Sequence, residues 1–368
     1  MTYSWQDIQQ DWLGDSLIAI APDEAVAAFN GVMDKFGRDW VEASRTHGDG
    51  MARGVTPTLH IVTLGLMLRA LNGAPNSHGL LEKLRNNQPD AWAELCAIYL
   101  LCSDSPEVSK EIEPEVVVGQ RNRVPDIRAR SGESPWTYVE VTMASRNSAA
   151  QREILNSLER LTCLVDNSTG SFALEIFLKR EPNDEELGYV EQQVREGCQS
   201  TEAYEVELPS GLGALYWNHY APGIAVIDDH GEPYRPGLGV MRTAVIDGQH
   251  RHIIVRWPFT DMRAEAMLTA EARQLPTDAP GLVMIQTSGA VGAMKAWRSL
   301  IERRLQPTMH TRVSAVCLFT SAIQPSESGE QWRPECKVII NPHARNPLPG
   351  WIANRLALFP SHEADLPT

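Results

Sequence analysis

The sequence predicts a mixed α/β fold, a mixed sheet flanked by helices with a helical N-terminal region and an α/β C-terminal part. Three observations carry this. Residues 1 to 75 have apolar residues at helical spacing; from Glu111 the pattern changes to short β-branched runs; and after residue 261 helical and strand-like segments alternate again. The corresponding organisation is a helical region at 1–75, a core at 76–200, a β-rich insertion at 201–260 and a C-terminal α/β part at 261–368, the last either extending the first sheet or forming a second unit.

In order, AVAAFNGVMDKF reads as an amphipathic helix and LHIVTLGLMLRAL as one apolar on all sides, hence buried. The glycine-rich RTHGDGMARGVTPT between them is a loop, with Pro57 in the first turn of the second helix. PDAWAELCAIYLL begins a helix at Pro89 and carries Glu94, which either faces solvent, the commoner place for a helix glutamate, or points into a cavity. Three strands follow, EVVV, VPDIRAR and WTYVEVTM, with Glu140 and Thr142 on one face of the last and Val139, Val141 and Met143 on the other. The helix AAQREILNSLERLTCLV then leads to the strand SFALEIFLKR, expected parallel to WTYVEVTM in one sheet through a right-handed crossover. Beyond the charged helix NDEELGYVEQQVREG, Gly- and Pro-punctuated pieces such as GIAVIDD and HRHIIVRWPF suggest hairpins. DMRAEAMLTAEARQL (helix), GLVMIQT (strand), AMKAWRSLIERRL (helix), VSAVCLFT and CKVIINP (strands) and GWIANRLAL (helix) complete the chain.

Composition narrows the function classes. Hydrophobic content of 43% and charged content of 22% are ordinary for a soluble domain. No apolar run is long enough to span a bilayer, and MTYSWQDIQQDWLGD lacks a basic segment followed by an apolar core, so a cytoplasmic protein with no membrane partner is expected. The six cysteines form no CxxC pair and read as reduced, buried thiols. A net charge of −14 argues against a general polyanion binder, so any nucleic-acid contact has to find positive charge locally.

Asp126 and Glu140 are acids set among β-branched and aromatic strand residues. Burying a bare charge there costs far more than strand formation returns, and a shared divalent cation would be a suitable partner. Glu94 on a helix, Pro125-Asp126, a gap of 13 residues and Glu140-Val141-Thr142 together resemble the PD-(D/E)XK nuclease superfamily, over about residues 80 to 180. The resemblance implies a restriction endonuclease-like core and a Mg2+-dependent (or Mn2+-dependent) endodeoxyribonuclease acting on DNA, as in restriction or phage defence. It implies Glu94, Asp126, Glu140 and the Val141 carbonyl as metal ligands, and pairing of two copies to cut both strands.

Thr142 stands where that superfamily usually has Lys, so it brings a hydroxyl and no positive charge. Arg146, Gln151 and Arg152 are the downstream candidates to replace it, Gln151 matching a glutamine of some relatives. The alternative implied by Thr142 is a catalytically inactive nuclease-like fold that binds nucleic acid or assembles with partners. Arg121, Arg123, Arg128 and Arg130 flank Asp126, and Arg121, Arg123, Arg128, Arg146 and Arg152 are the candidate phosphate contacts. Further cations cluster at His250–His252 with Arg256, and along Lys295–Arg312. The glycine turn in LVMIQTSGAVGAMKAW fits neither common phosphate-loop spacing, and no GxSxG elbow is present.

Overall fold

A computed structural model describes residues 2–44, 55–118, 121–144, 172–179, 182–197, 203–217, 238–246, 249–257, 261–287, 293–326 and 328–359. The chain divides into two compact units: Met1–Ala144 with Ala264–Gly289 and Trp297–Asp365, and Ser145–Arg263 with Ala290–Ala296 and Leu366–Thr368.

In the first unit, α1 (Trp5–Asp7) runs into a π-helical turn (Ile8–Leu13), followed by α2 (Pro22–Phe36), α3 (Arg38–Ala43), α4 (Val55–Arg69), α5 (His78–Arg85) and α6 (Pro89–Cys102). Ser4 caps α1 with a reciprocal Ser4–Asp7 capping box. Pro22 and Pro89 sit in the first turns of α2 and α6, where a missing N–H leaves no bond unmade. α6 is buried along nearly its whole length, from Ala91 through Cys102, as a helix apolar on every side must be. α2 and α4 touch backbone to backbone: a Cβ on Gly65 would stand 2.4 Å from the Ala28 carbonyl oxygen.

The sheet of this unit contains β1 (Val108–Ile112), β4 (Ile127–Ser131), β5 (Thr137–Met143), β11 (Gly281–Gln286), β12 (Ala315–Ser326) and β13 (Gly329–Ile340), in the spatial order β1-β4-β5-β11-β12-β13. β5, β11 and β12 are parallel; β1, β4 and β13 join antiparallel. Val139, Val141, Leu282, Met284, Ala315, Cys317 and Phe319, all of one parity, join the helical core. The opposite parity of the central strands, Val283, Ile285, Val316 and Leu318, is buried as well. A sheet covered on both faces explains why GLVMI is uninterruptedly apolar. α8 (Asp261–Ala272) precedes β11, α9 (Ala293–Arg304) follows it, and α10 (Gly350–Leu356) ends the described chain with Ile352 and Leu356 in the core.

The second unit holds β6 (Phe172–Leu178), β7 (Tyr204–Leu208), β8 (Gly213–Trp217), β9 (Leu238–Ile246) and β10 (Gln249–Trp257), in the order β7-β8-β6-β10-β9, with α7 (Asp184–Gly197). β6 and β10 are parallel and the other pairs antiparallel. Gly197 ends α7 flat against Trp217, whose ring lies 1.9 Å from where a Cβ would be.

The mixed α and β content and the helix-flanked mixed sheet agree with expectation, but two details differ. SFALEIFLKR does not join the sheet of WTYVEVTM: β6 pairs with β8 and β10, and the parallel neighbour of β5 is β11. Both segments are apolar strands after a helix-forming stretch, so periodicity alone could not choose between them. EVVV is not in that sheet either; β2 (Val116–Val118) forms a separate hairpin with β3 (Arg121–Arg123), and β1 takes the place beside β4. The C-terminal strands β11, β12 and β13 extend the first sheet. The helix expected at AAQREILNSLERLTCLV lies outside the described residues. Among the described residues no helix is long and apolar enough to cross a membrane.

Two mid-helix glycines should respond with opposite signs. Gly65→Ala forces a Cβ into the Ala28 backbone and should lower unfolding free energy by about 1–3 kcal/mol. Gly31→Ala in α2 has no atom within 4 Å of the new Cβ and should raise it, by roughly 0.5–1 kcal/mol. Denaturant titration of both variants measures this.

Candidate functional site

The β4–β5 ladder fixes where Asp126 sits. Its last described pair is Ile127 with Val139, and one residue earlier the chain of β4 turns away. The next donor on that edge of β5, the Val141 N–H, is taken by Asp126 Oδ2 at 2.7 Å, a side chain substituting for a backbone carbonyl. The Asp126 carbonyl in turn accepts from the Glu113 N–H at 2.8 Å, and Glu113 holds a positive φ of 48° to make that bond. Asp126 is thus pinned by its backbone and its side chain at the mouth of the sheet.

Glu140 is on β5 and its face is set by strand parity: it pairs with Val283 of β11, as Thr142 pairs with Ile285. Both are buried, at 5% and 6% exposure. Glu94, also at 6%, is the one charged residue in the buried stretch of α6, which removes the solvent-facing alternative for it. Its Oε1 meets the Lys83 ammonium of α5 at 3.5 Å, while Lys83 makes its shorter contact, 2.8 Å, with Glu113.

These acids act on one another's charge. Burial, and then the Asp126 charge, push the Glu94 carboxyl up to about 7, with Lys83 opposing. Asp126 is raised to about 6, chiefly by burial, against the Val141 hydrogen bond that favours its charged form; Glu271 adds to the rise. Glu140 is pushed up to about 10 by burial, by Asp126, and by Glu271, which also shares a hydrogen bond with it. Acids this close cannot all ionise without a counter-charge. Two oxygens, Glu94 Oε2 and Glu140 Oε1, are buried with no hydrogen-bond partner. Carboxylate oxygens are the type of donor a hard divalent cation takes, and two of these are sealed from water. As placed, the side chains meet in pairs, Glu140 with Glu271 and Glu94 with Lys83. Among the described residues no three His, Cys, Asp or Glu side chains enclose a common point.

Of the other residues singled out in the sequence, Val141 gives its N–H to Asp126 and its side chain to the core. Arg121 and Arg123 lie on β3, and the buried Nε of Arg123 has no partner. Arg128 is held by Glu111, at 2.7 Å from its Nε, and lies over the Trp136 ring at 4.6 Å. Arg130 stacks on the same ring at 4.5 Å with a buried Nε that has no acceptor. An open groove of about 770 Å³ runs past Arg130 and Trp136, lined also by Arg69, Lys110 and Glu111, and contains none of the clustered acids. Arg146, Gln151 and Arg152 lie outside the described residues.

Sequence reasoning missed Lys83, Glu113 and Glu271. Glu271 left a signal: it stands three residues after Leu268, the buried position of α8, which puts it on that helix's inward side. Lys83 likewise stands three residues after the buried Leu80 of α5. Glu113 left none, because its role depends on a local backbone turn. Set against protein-family models, curated proteins and solved structures, the chain matches none of them.

The raised carboxyls dictate the pH response in chelator. A group whose folded pKa exceeds its unfolded one stabilises the fold below the unfolded value and loses that contribution as pH rises through the folded value. Asp126 and Glu94 lose it up to about 6 and about 7, and Glu140 continues to lose it up to about 10. Melting temperature with EDTA should therefore fall from about pH 5 to about pH 8. Glu140→Gln should flatten the slope and melt higher at the upper end. A melting temperature rising across that window would contradict the buried-acid cluster.

Proposed function

We propose that the chain is a metal-dependent nuclease hydrolysing phosphodiester bonds of DNA, with Glu94, Asp126 and Glu140 as carboxylate ligands of Mg2+ or Mn2+ and the Val141 carbonyl beside them. The observation that supports it best is that three acids, Glu94 on α6, Asp126 beside the end of β4 and Glu140 within β5, raise one another's pKa, with Glu94 Oε2 and Glu140 Oε1 buried and unpartnered. When bound, the ion supplies a Lewis acid for the scissile phosphate and lowers the pKa of an attacking water.

The chain's own groups do the rest. Val141 N–H keeps one Asp126 oxygen fixed, so the other is presented in one orientation. Lys83 meets the other oxygen of Glu94 and, among the described residues, supplies positive charge to the acids that Thr142 on β5 does not. Arg130 and Lys110 in the groove, with the Trp136 ring between the arginines, offer phosphate contacts and a stacking surface for bases. Arg128, its charge met by Glu111, serves mainly to hold that ring. The restriction or phage-defence setting comes from the family resemblance alone.

Thr142 favours a second reading, a silent nuclease-like module that binds nucleic acid or assembles with a partner. Nicking of supercoiled plasmid separates the two. Mg2+ or Mn2+ should support cleavage, EDTA should abolish it, and Asp126→Ala and Glu140→Ala should each reduce it by about 10²-fold or more. Intact protein that cuts no duplex, single-stranded or branched DNA, and no RNA, with either ion, is the silent module.

A further inference from the structure

We infer that the groove beside Trp136 binds single-stranded DNA, whose phosphates are met by Arg130 and Lys110. This rests on the nuclease reading for the ligand being DNA, and adds the form of the strand and where it lies. The groove, of about 770 Å³, is walled by β1 and by the chain that follows α4 and α6. β1 is the outermost strand of its sheet, and Val108 and Ile112 turn to the core, so Lys110 shares their side while Ser109 and Glu111 take the other. A ligand in the groove therefore passes round the free edge of the sheet. On that other side lie Arg128 and Arg130 of β4 with Trp136, Tyr138 and Glu140, because Val139 and Val141 enter the core. Trp136 to Glu140 is four residues of extended chain, about 13 Å, so a strand leaving the groove along β5 heads for Glu140.

Arg130 has the form of an oxyanion receptor. Its guanidinium carbon lies 4.5 Å from the centre of the Trp136 ring, and its Nε is sealed from water with no acceptor. The two terminal nitrogens are not sealed, and among the described residues they meet no acceptor. The fork is thus fixed on one side and unused on the other, and a planar fork of this kind matches two phosphate oxygens at once. Arg128 differs: it lies over the same ring at 4.6 Å, but Glu111 takes its Nε at 2.7 Å. That pairing also occupies the Glu111 charge beside Lys110, whose ammonium makes no hydrogen bond or ion pair among the described residues. A duplex presents two rows of phosphates and keeps its bases stacked inside, whereas a single strand presents one row and open base faces. Two unpaired cations, an aromatic ring and one exposed acid, Asp104, suit the single strand, and a chain of net charge −14 has little positive surface to spare for the duplex.

Fluorescence anisotropy of a labelled oligothymidylate in EDTA tests this apart from any cleavage. The set is wild type, Arg130→Gln, Lys110→Gln and, as a charge control, Arg195→Gln, whose side chain pairs with Glu191 on α7. Wild type and the control should bind alike. Arg130→Gln and Lys110→Gln should each weaken binding by about 5-fold or more and each reduce the slope of log affinity against log salt by about 0.7, the loss of one phosphate contact on a single strand. A residue that only supports the fold would leave that slope unchanged, and unchanged slopes in both variants overturn the assignment. Should Arg130→Gln fail to fold, Lys110→Gln carries the test, since its side chain holds no other group. The same oligonucleotide bound as tightly when paired with oligoadenylate overturns the choice of a single strand. Inorganic phosphate displacing the label as well as unlabelled oligothymidylate does makes this a small-anion site and also overturns it. Wild type that binds no single strand removes the proposal while Mg2+-dependent nicking stands or falls separately; binding without nicking removes the nuclease and keeps the groove.

Discussion

Everything in the first unit is arranged around the cost of keeping several carboxyl groups out of water. An ionised carboxylate in a protein interior needs a donor, a cation or a proton, and each of the three is in use here. Asp126 has a backbone N–H, Glu94 has Lys83, and Glu140 has the Glu271 carboxyl. Only the first is a full match, which is why Glu94 and Glu140 retain oxygens with no partner. Such a cluster is poor material for stability.

The fold keeps the cost down by placing the acids where regular structure stops. Asp126 occupies the first residue outside the β4 ladder and Glu113 the first outside β1, so each substitutes for a hydrogen bond the sheet can no longer provide. Glu94 is carried in by a helix whose remaining surface is so completely packed that no other orientation of α6 is available. The rigid parts are therefore the apolar ones, and the reactive groups ride on them.

The local pattern around Asp126 and Glu140 was legible because it is made within about thirty residues: a strand end, a turn and a strand whose alternation puts Glu140 and Thr142 on one face. Helix α6 was equally plain, with Pro89 and Asp90 at its start and an apolar run behind them. What could not be read was long-range choice. GLVMIQ and FALEIFL are both apolar strands, and selecting the partner of β5 depends on packing across the whole sheet. Lys83 and Glu271 showed only which side of their helices they take; which acids they would meet depends on the same long-range packing.

The partner strand of β5 has one more effect, on the order of events during synthesis. Residues 137–143 and 281–286 lie side by side in the sheet, and Glu271 arrives on the helix just before the second of them. A nascent chain therefore cannot complete the sheet beside Glu140 while the ribosome is still short of that point, and contacts between such distant segments form slowly. A chain that stops before residue 281 leaves that edge of β5 unpaired, an open strand edge that a second copy could pair with.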